Sequence, residues 1–466
     1  MKLWTQRSDR RGWLSGALAA LVFAWASPAL VAQEGDGGGG DAGAKDEKKA
    51  DDGEWFAVVG GDVYTGTGAV LRGATVLARG GKIRAIGHEV DVPPDAKKLD
   101  ATGLRVYPGL VGMNTSGLMG GASGDFADTV DAFNTRMVLA LASGITTTSQ
   151  ANVALKLKRR EIAGVVMREK YLSTLSYSNS NPRGKAELAD KFDAAAKFLR
   201  DYREWEEKKK DNKDLKEPAR KGVDSTVLAI LKGESLARFN ASARADLLEI
   251  ARLAQRFGFR PVIDGCVEGW TVAEELGRAG AYAVITPRDR RDKSEELVRD
   301  GGSSIENAAI LRKAGVQVAI VATEGFVDLG GIAGRDIMHL PIEADFAVRG
   351  GLSEQAALEA ITIVPARILG VDYRVGSIAV GKDCDLLVTD GDILHYQTFV
   401  QYTVVEGKTV YEKSKELFFA HIRPRPESAL APEKRTDPGE ETPKPEPTDA
   451  KPDDKEKKAA DEKKKD

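Results

Sequence analysis

From about residue 108 to residue 370 the chain alternates amphipathic helical segments with short apolar runs, and few folds accommodate that rhythm. Met137 to Ala142 closes a helix, Gly144 stops it, and ITTTS follows as a strand. ADLLEIARLAQRFG is a helix with one apolar face, and RPVID after it reads as a strand. TVAEELGRAG then AYAVIT, and ENAAILRKAG then VQVAIV, repeat the unit twice more. A helix that returns the chain to the same edge after each strand makes neighbouring strands parallel, so the pattern predicts a parallel sheet covered by helices.

The flanks of this region read differently. FAVV and ATVLARGGKIRAIG before it, and DCDLLVTDG and TVVEGKTVYE after it, are short β signals, with hairpin turns at Gly80-Gly81 and Glu406-Gly407. Isolated hairpins are marginal in water, so the two flanks are expected to share one small β domain. Residues 185 to 220 hold a strongly charged helix whose apolar positions, Leu188, Phe192, Ala195, Leu199 and Tyr202, line one face. Its other face is solvated charge.

The ends of the chain are read as processing and solvation rather than fold. Residues 1–32 combine basic Lys2, Arg7, Arg10 and Arg11, an apolar stretch from Trp13 to about Val31, and small residues suited to cleavage, which is the pattern of a signal peptide. Arg10-Arg11 followed by Gly-Trp-Leu suits a twin-arginine signal as well as ordinary secretion, and either route implies a periplasmic or extracellular location. Residues 33–54 and 424–466 lack apolar periodicity and are expected to be a disordered tether and a disordered charged tail. A formal net charge of −3 gives no reason to expect nucleic acid as a partner. Two scattered cysteines, Cys266 and Cys384, exclude a disulfide framework and read as small buried hydrophobes.

Several stretches carry a family resemblance. LRVYPGLVGMNTSGL resembles the first barrel strand of metal-dependent amidohydrolases, where a PGLID stretch leads into a His-x-His pair. GLSEQAALEAITIVPARILGVDYRVGSIAVGKDCDLLVTDGD is very similar to the closing segment of that superfamily. ALASGITTTS, SNSNPRGKAEL and the run from Leu228 to Trp270 look like its exported, imidazolonepropionase-like branch. The resemblance implies a (β/α)8 TIM-type barrel over residues 108–370. It also implies a small β-sandwich domain assembled from residues 55–107 and 371–415.

It further implies a zinc site at the C-terminal ends of the barrel strands, and here the chain departs from the family. Asn114 and Ser116 stand where the first-strand histidines belong. The fifth strand offers Asn240 and Ser242, the sixth Asp264, and the eighth Thr323 in register with the family's aspartate and Glu324 one residue on. Leu175 aligns with the lysine that some relatives carboxylate. No imidazole remains at these positions. The four histidines lie elsewhere: His88 and His395 in the β domain, His339 after the eighth strand and His421 at the tail.

Carboxylates at Asp264, Glu268 and Glu324 suit a hard cation better than zinc, but they sit among neutral Asn and Ser side chains. The expectation is therefore a hydrogen-bonded polar network without a metal cofactor. Cys266 has no histidine placed to activate it as a nucleophile. Asn114 and Asn240 also begin Asn-x-Ser triplets, but both are expected at strand ends rather than in the surface loops that carry glycans. The expected function is a non-catalytic binding or scaffolding homologue. It would take a small molecule in the barrel mouth, or pair with itself or with an active relative. The alternative is a hydrolase of carbon–nitrogen, non-peptide bonds using Asp264 or Glu324 as base in an altered, metal-poor mechanism.

Overall fold

The computed structural model describes residues 53–120, 129–290, 301–330 and 334–416. The segments read as signal peptide, as tether before Gly53 and as charged tail, with His421, lie outside the described residues.

Both flanks of the chain enter one sheet. Strands β1 (Trp55–Tyr64), β2 (Val70–Arg79), β3 (Lys82–Gly87), β4 (Lys97–Asp100) and β5 (Arg105–Pro108) come from the amino-terminal side. Strands β15 (Leu386–Thr389), β16 (Val400–Val405) and β17 (Lys408–Glu412) come from the carboxyl-terminal side. They lie in the order β17-β16-β15-β5-β1-β2-β3, with β4 also paired to β1. The strands from both flanks are hydrogen-bonded into one eight-stranded sheet.

The physical device is a bend in β1. Its first half pairs with β4, its second half with β5, and the register shifts on either side of Gly61. A Cβ on Gly61 would lie 2.6 Å from Val106 Cγ2, so only glycine lets the bent strand approach β5. The two hairpins turn as expected: Gly80 and Gly81, and Glu406 and Gly407, all have positive φ. That is the twist a two-residue turn needs to match its strands.

The parallel strands form two groups. β10 (Leu172–Thr174), β11 (Leu236–Ala241), β12 (Pro261–Gly265), β13 (Tyr282–Ile285) and β14 (Gln317–Ile320) make one parallel sheet. β6 (Leu110–Gly112) pairs in parallel with β7 (Ile145–Gln150), but β8 (Val153–Lys156) and β9 (Val166–Arg168) follow in antiparallel sense. Among the described residues the ladders do not join into one closed ring of eight parallel strands, as the barrel expectation would have them.

The ends of β6 and β14 nevertheless meet. Ser116 N donates to Gly325 O at 2.8 Å, and a Cβ on Gly325 would lie 2.0 Å from Asn114 O. The C-terminal ends of the first and last parallel strands are thus brought together.

Helices cover the sheets: α1 (Thr135–Ala142), α2 (Pro182–Lys209), α3 (Ser225–Leu231), α4 (Arg244–Phe257), α5 (Ala273–Arg278), α6 (Asn307–Lys313), α7 (Leu340–Arg349), α8 (Glu354–Ala360) and α9 (Ile363–Ile368). The charged helix is α2, and it starts and ends earlier than its charge pattern suggested. Asn181 caps it by accepting from Gly184 N at 2.9 Å, with Pro182 preset for the first turn. Leu188, Phe192, Ala195 and Phe198 form its buried stripe, while Leu199 and Tyr202 are half-buried. Phe192 stacks on Phe257 and Phe259, tying this otherwise solvated helix to the core.

Candidate functional site

The site is built on β11. Ala237, Phe239 and Ala241 are buried on one side of this strand, so by its two-residue period Arg238 and Asn240 share the other. In register, Asn240 sits beside Asp264 of β12. The Arg238 side chain reaches along this face toward the strand ends. Its Nε donates to Asp264 Oδ2 at 2.5 Å, and a terminal nitrogen contacts the same oxygen. The same terminal nitrogen donates to Asn114 Oδ1, and the other donates to Asn152 Oδ1. One guanidinium thus joins the loops after β6 and β7 to the end of β12.

The two asparagines suit their places. Asn114 has φ 57° and Asn152 has φ 66°, the left-handed region that asparagine tolerates better than other side chains with a Cβ. Asn114 N donates to Ser149 Oγ at 3.1 Å, and Asn152 Nδ2 donates to Thr174 Oγ1 at 3.1 Å. Arginine only donates, so each amide must turn its oxygen toward Arg238. Burial raises the Asp264 carboxyl above its ordinary pKa, and Arg238 and Asn114 pull it back only in part. Its Oδ1 is buried with no hydrogen-bond partner.

The other expected positions divide. Asn240 is exposed beside Asp264, and Ser116 is exposed next to Gly325. Ser242 accepts from Glu268 N through its carbonyl at 3.0 Å. Thr323 Oγ1 donates to Glu343 Oε1 at 3.3 Å, and the backbone N of Glu324 donates to Arg335 O at 2.9 Å. Leu175 is half-buried against the core and meets the site only through its backbone, donating to Arg238 O at 2.8 Å.

Glu268 is engaged elsewhere: its carboxylate accepts from Arg244 N at 2.8 Å, at the start of α4, and from Gly302 N at 2.9 Å. His339 Nδ1 lies 2.5 Å from Asp336 Oδ1, and His88 and His395 are exposed in the β region. Burial pushes the Cys266 thiol up to about 12, which removes it as a nucleophile. Among the described residues no group of three or more His, Cys, Asp or Glu is arranged to hold a metal ion.

Sequence reasoning missed Arg238, Asn152 and the ion pair of Arg288 with the fully buried Glu343. A signal for Arg238 was present. A charged residue two places before Asn240, on the inward face of an apolar strand, demands a partner.

Residues 262–410 match the Amidohydrolase family model. Over this stretch, about a third of its length, the chain is similar to amidohydrolases.

The fold agrees: an amidohydrolase from Thermotoga maritima MSB8 superposes with a TM-score of 0.57 at 23% identity, covering 77% of this chain and 100% of that one. Two curated proteins match over short stretches. Amidohydrolase tasK of Hapsidospora irregularis is 30% identical over 95 residues, which is 20% of this chain and 10% of that protein. N-acetylglucosamine-6-phosphate deacetylase of Danio rerio is 37% identical over 68 residues, 15% of this chain and 16% of that protein. The chain therefore matches under a fifth of the length of either curated relative. Asp264, the carboxylate that faces Arg238, lies within the matched stretch.

Proposed function

We propose that this chain is an exported, non-catalytic member of the amidohydrolase superfamily, of the imidazolonepropionase-like branch, that acts by binding or scaffolding. The observation that carries the reading is the guanidinium of Arg238 among Asn114, Asn152 and Asp264. A catalytic zinc takes three protein ligands, chiefly imidazole or carboxylate, and keeps one open position for water. Here the oxygens near the would-be ion are two amide carbonyls and one carboxylate, all turned toward a fixed positive charge. A divalent cation brought among them would meet that charge at short range and find no imidazole. The residues do not fit the family's metal.

The hydrolytic alternative is weaker on the same ground. Asp264 is engaged by Arg238 rather than free to take a proton from water, and a carboxylate base does not replace the Lewis acid. Export rests on the sequence of residues 1–32 alone.

The test is elemental analysis of the purified chain after dialysis against a weak chelator, together with assays on cyclic amides and dipeptides. The expected result is no stoichiometric zinc and no turnover. About one zinc per chain, or metal-dependent hydrolysis, overturns the reading.

A further inference from the structure

We infer that the strand ends form a guanidinium receptor whose ligand is the chain's own Arg238, an internal organic cation held by acceptors from three separate segments. The inference rests on the reading of the site as one that takes no metal. Guanidinium is planar, with donors fixed in a fork, so it selects acceptors lying around its edge. Asp264 Oδ2, Asn114 Oδ1 and Asn152 Oδ1 supply them, and each of the three nitrogens of Arg238 has at least one.

The backbones that carry Asp264 and Asn114, and the side chain of Asn152, are also held independently of the arginine. Asp264 is fixed in the β11–β12–β13 ladder, Asn114 by Ser149, and the Asn152 amide by Thr174. Both asparagines sit in the left-handed conformation, which aims them from the loops after β6 and β7. A receptor whose walls are fixed without its occupant keeps its shape when the occupant is cut away. Arg238→Ala removes a fragment equal to N-ethylguanidinium, and the variant is expected to bind that small molecule.

The experiment uses the full chain with Arg238→Ala and follows thermal unfolding and calorimetric titration with N-ethylguanidinium, N-ethylurea, ethylammonium and zinc. The expected result is a saturable upward shift of the midpoint with N-ethylguanidinium, absent in the unaltered chain. Binding at least roughly tenfold tighter than that of the neutral N-ethylurea is expected, the factor a charge-assisted hydrogen bond supplies. Equal effects of guanidinium and urea, an equal shift in the unaltered chain, or a larger shift with ethylammonium or zinc each overturn the inference.

Should Arg238→Ala fail to fold, Arg238→Met preserves the bulk and leaves Asp264 without its cation. Its stability is then expected to fall as pH rises from 4 to 7 and the buried carboxyl ionises, a fall that Arg238→Met/Asp264→Asn lacks. A pH profile like that of the unaltered chain refutes the receptor. Zinc in the unaltered chain would instead defeat the functional reading, whereas failed rescue of a metal-free chain defeats this inference alone.

Discussion

Lys156→Met tests how the β6–β9 sheet is joined to the eight-stranded sheet. Lys156 ends β8 with its side chain fully buried among the carboxylates of Asp383, Asp385 and Glu406. Its Nζ contacts Asp383 Oδ2 and lies 3.1 Å from Asp385 Oδ2 and 3.3 Å from Glu406 Oε1. Removing one partner of a buried pair costs roughly 3–5 kcal/mol, because it strands the other charge.

Two of the three carboxylates keep other cations. Asp383 retains Lys82 at 2.5 Å and Arg374 at 2.9 Å, and Glu406 retains Lys158 at 2.7 Å. Among the described residues the Asp385 carboxylate retains only the Glu406 backbone N–H at 2.9 Å. The expected loss is therefore at the low end, about 3 kcal/mol at pH 7 by urea unfolding.

The pH dependence has a defined sign. Burial already raises the Asp385 carboxyl despite Lys156, so without the lysine it rises further, and the variant should regain stability as pH falls from 7 to 5. In the unaltered chain burial alone would raise Asp383, but Lys156 and Arg374 hold it down to about 2. That contribution is present above its ordinary 3.8 and lost as pH drops toward 2. Lys156→Met/Asp385→Leu should recover most of the loss, since an apolar pair can replace a buried ionic one. A single-variant cost under about 1 kcal/mol, the value of an exposed pair, would refute the reasoning.

Three further outcomes are expected. Gly325→Ala should destabilise the chain by about 1–3 kcal/mol, because its Cβ would lie 2.0 Å from Asn114 O; denaturant unfolding measures it, and a neutral result would mean that the two strand ends do not touch. Both cysteines are buried, and burial raises both thiols, so the native chain should be inert to Ellman's reagent and react at both only when unfolded. Phe192→Ala should cost roughly 3–5 kcal/mol, since it removes the ring stacked 5.1 Å from Phe257 and 4.9 Å from Phe259; a loss below about 1 kcal/mol would show that α2 is not anchored there.

The one-dimensional pattern was enough to place the helix–strand units between Met137 and Ile320 and the two hairpin turns. Period-2 and period-3.6 spacing are local properties, and Gly80-Gly81 and Glu406-Gly407 turn through the backbone freedom their residue types bring. Composition also narrowed the site: none of the four histidines stands at an expected ligand position. What the strands do at their edges was beyond that reach. Whether β8 runs with or against β7, and whether eight strands make one sheet or two, depends on ladder hydrogen bonds between distant segments.

The same division holds for the charges. Lys156 and Asp383 are 227 positions apart, and each alone reads as an ordinary surface charge. Arg238 lies 124 positions from Asn114, and its place on β11 says which side of the strand it leaves from but not what it meets. The residue types and their directions belong to the sequence. The pairing of one guanidinium with two loops and a strand end belongs to the tertiary structure, because only closure of long chain segments brings acceptors so far apart to one point.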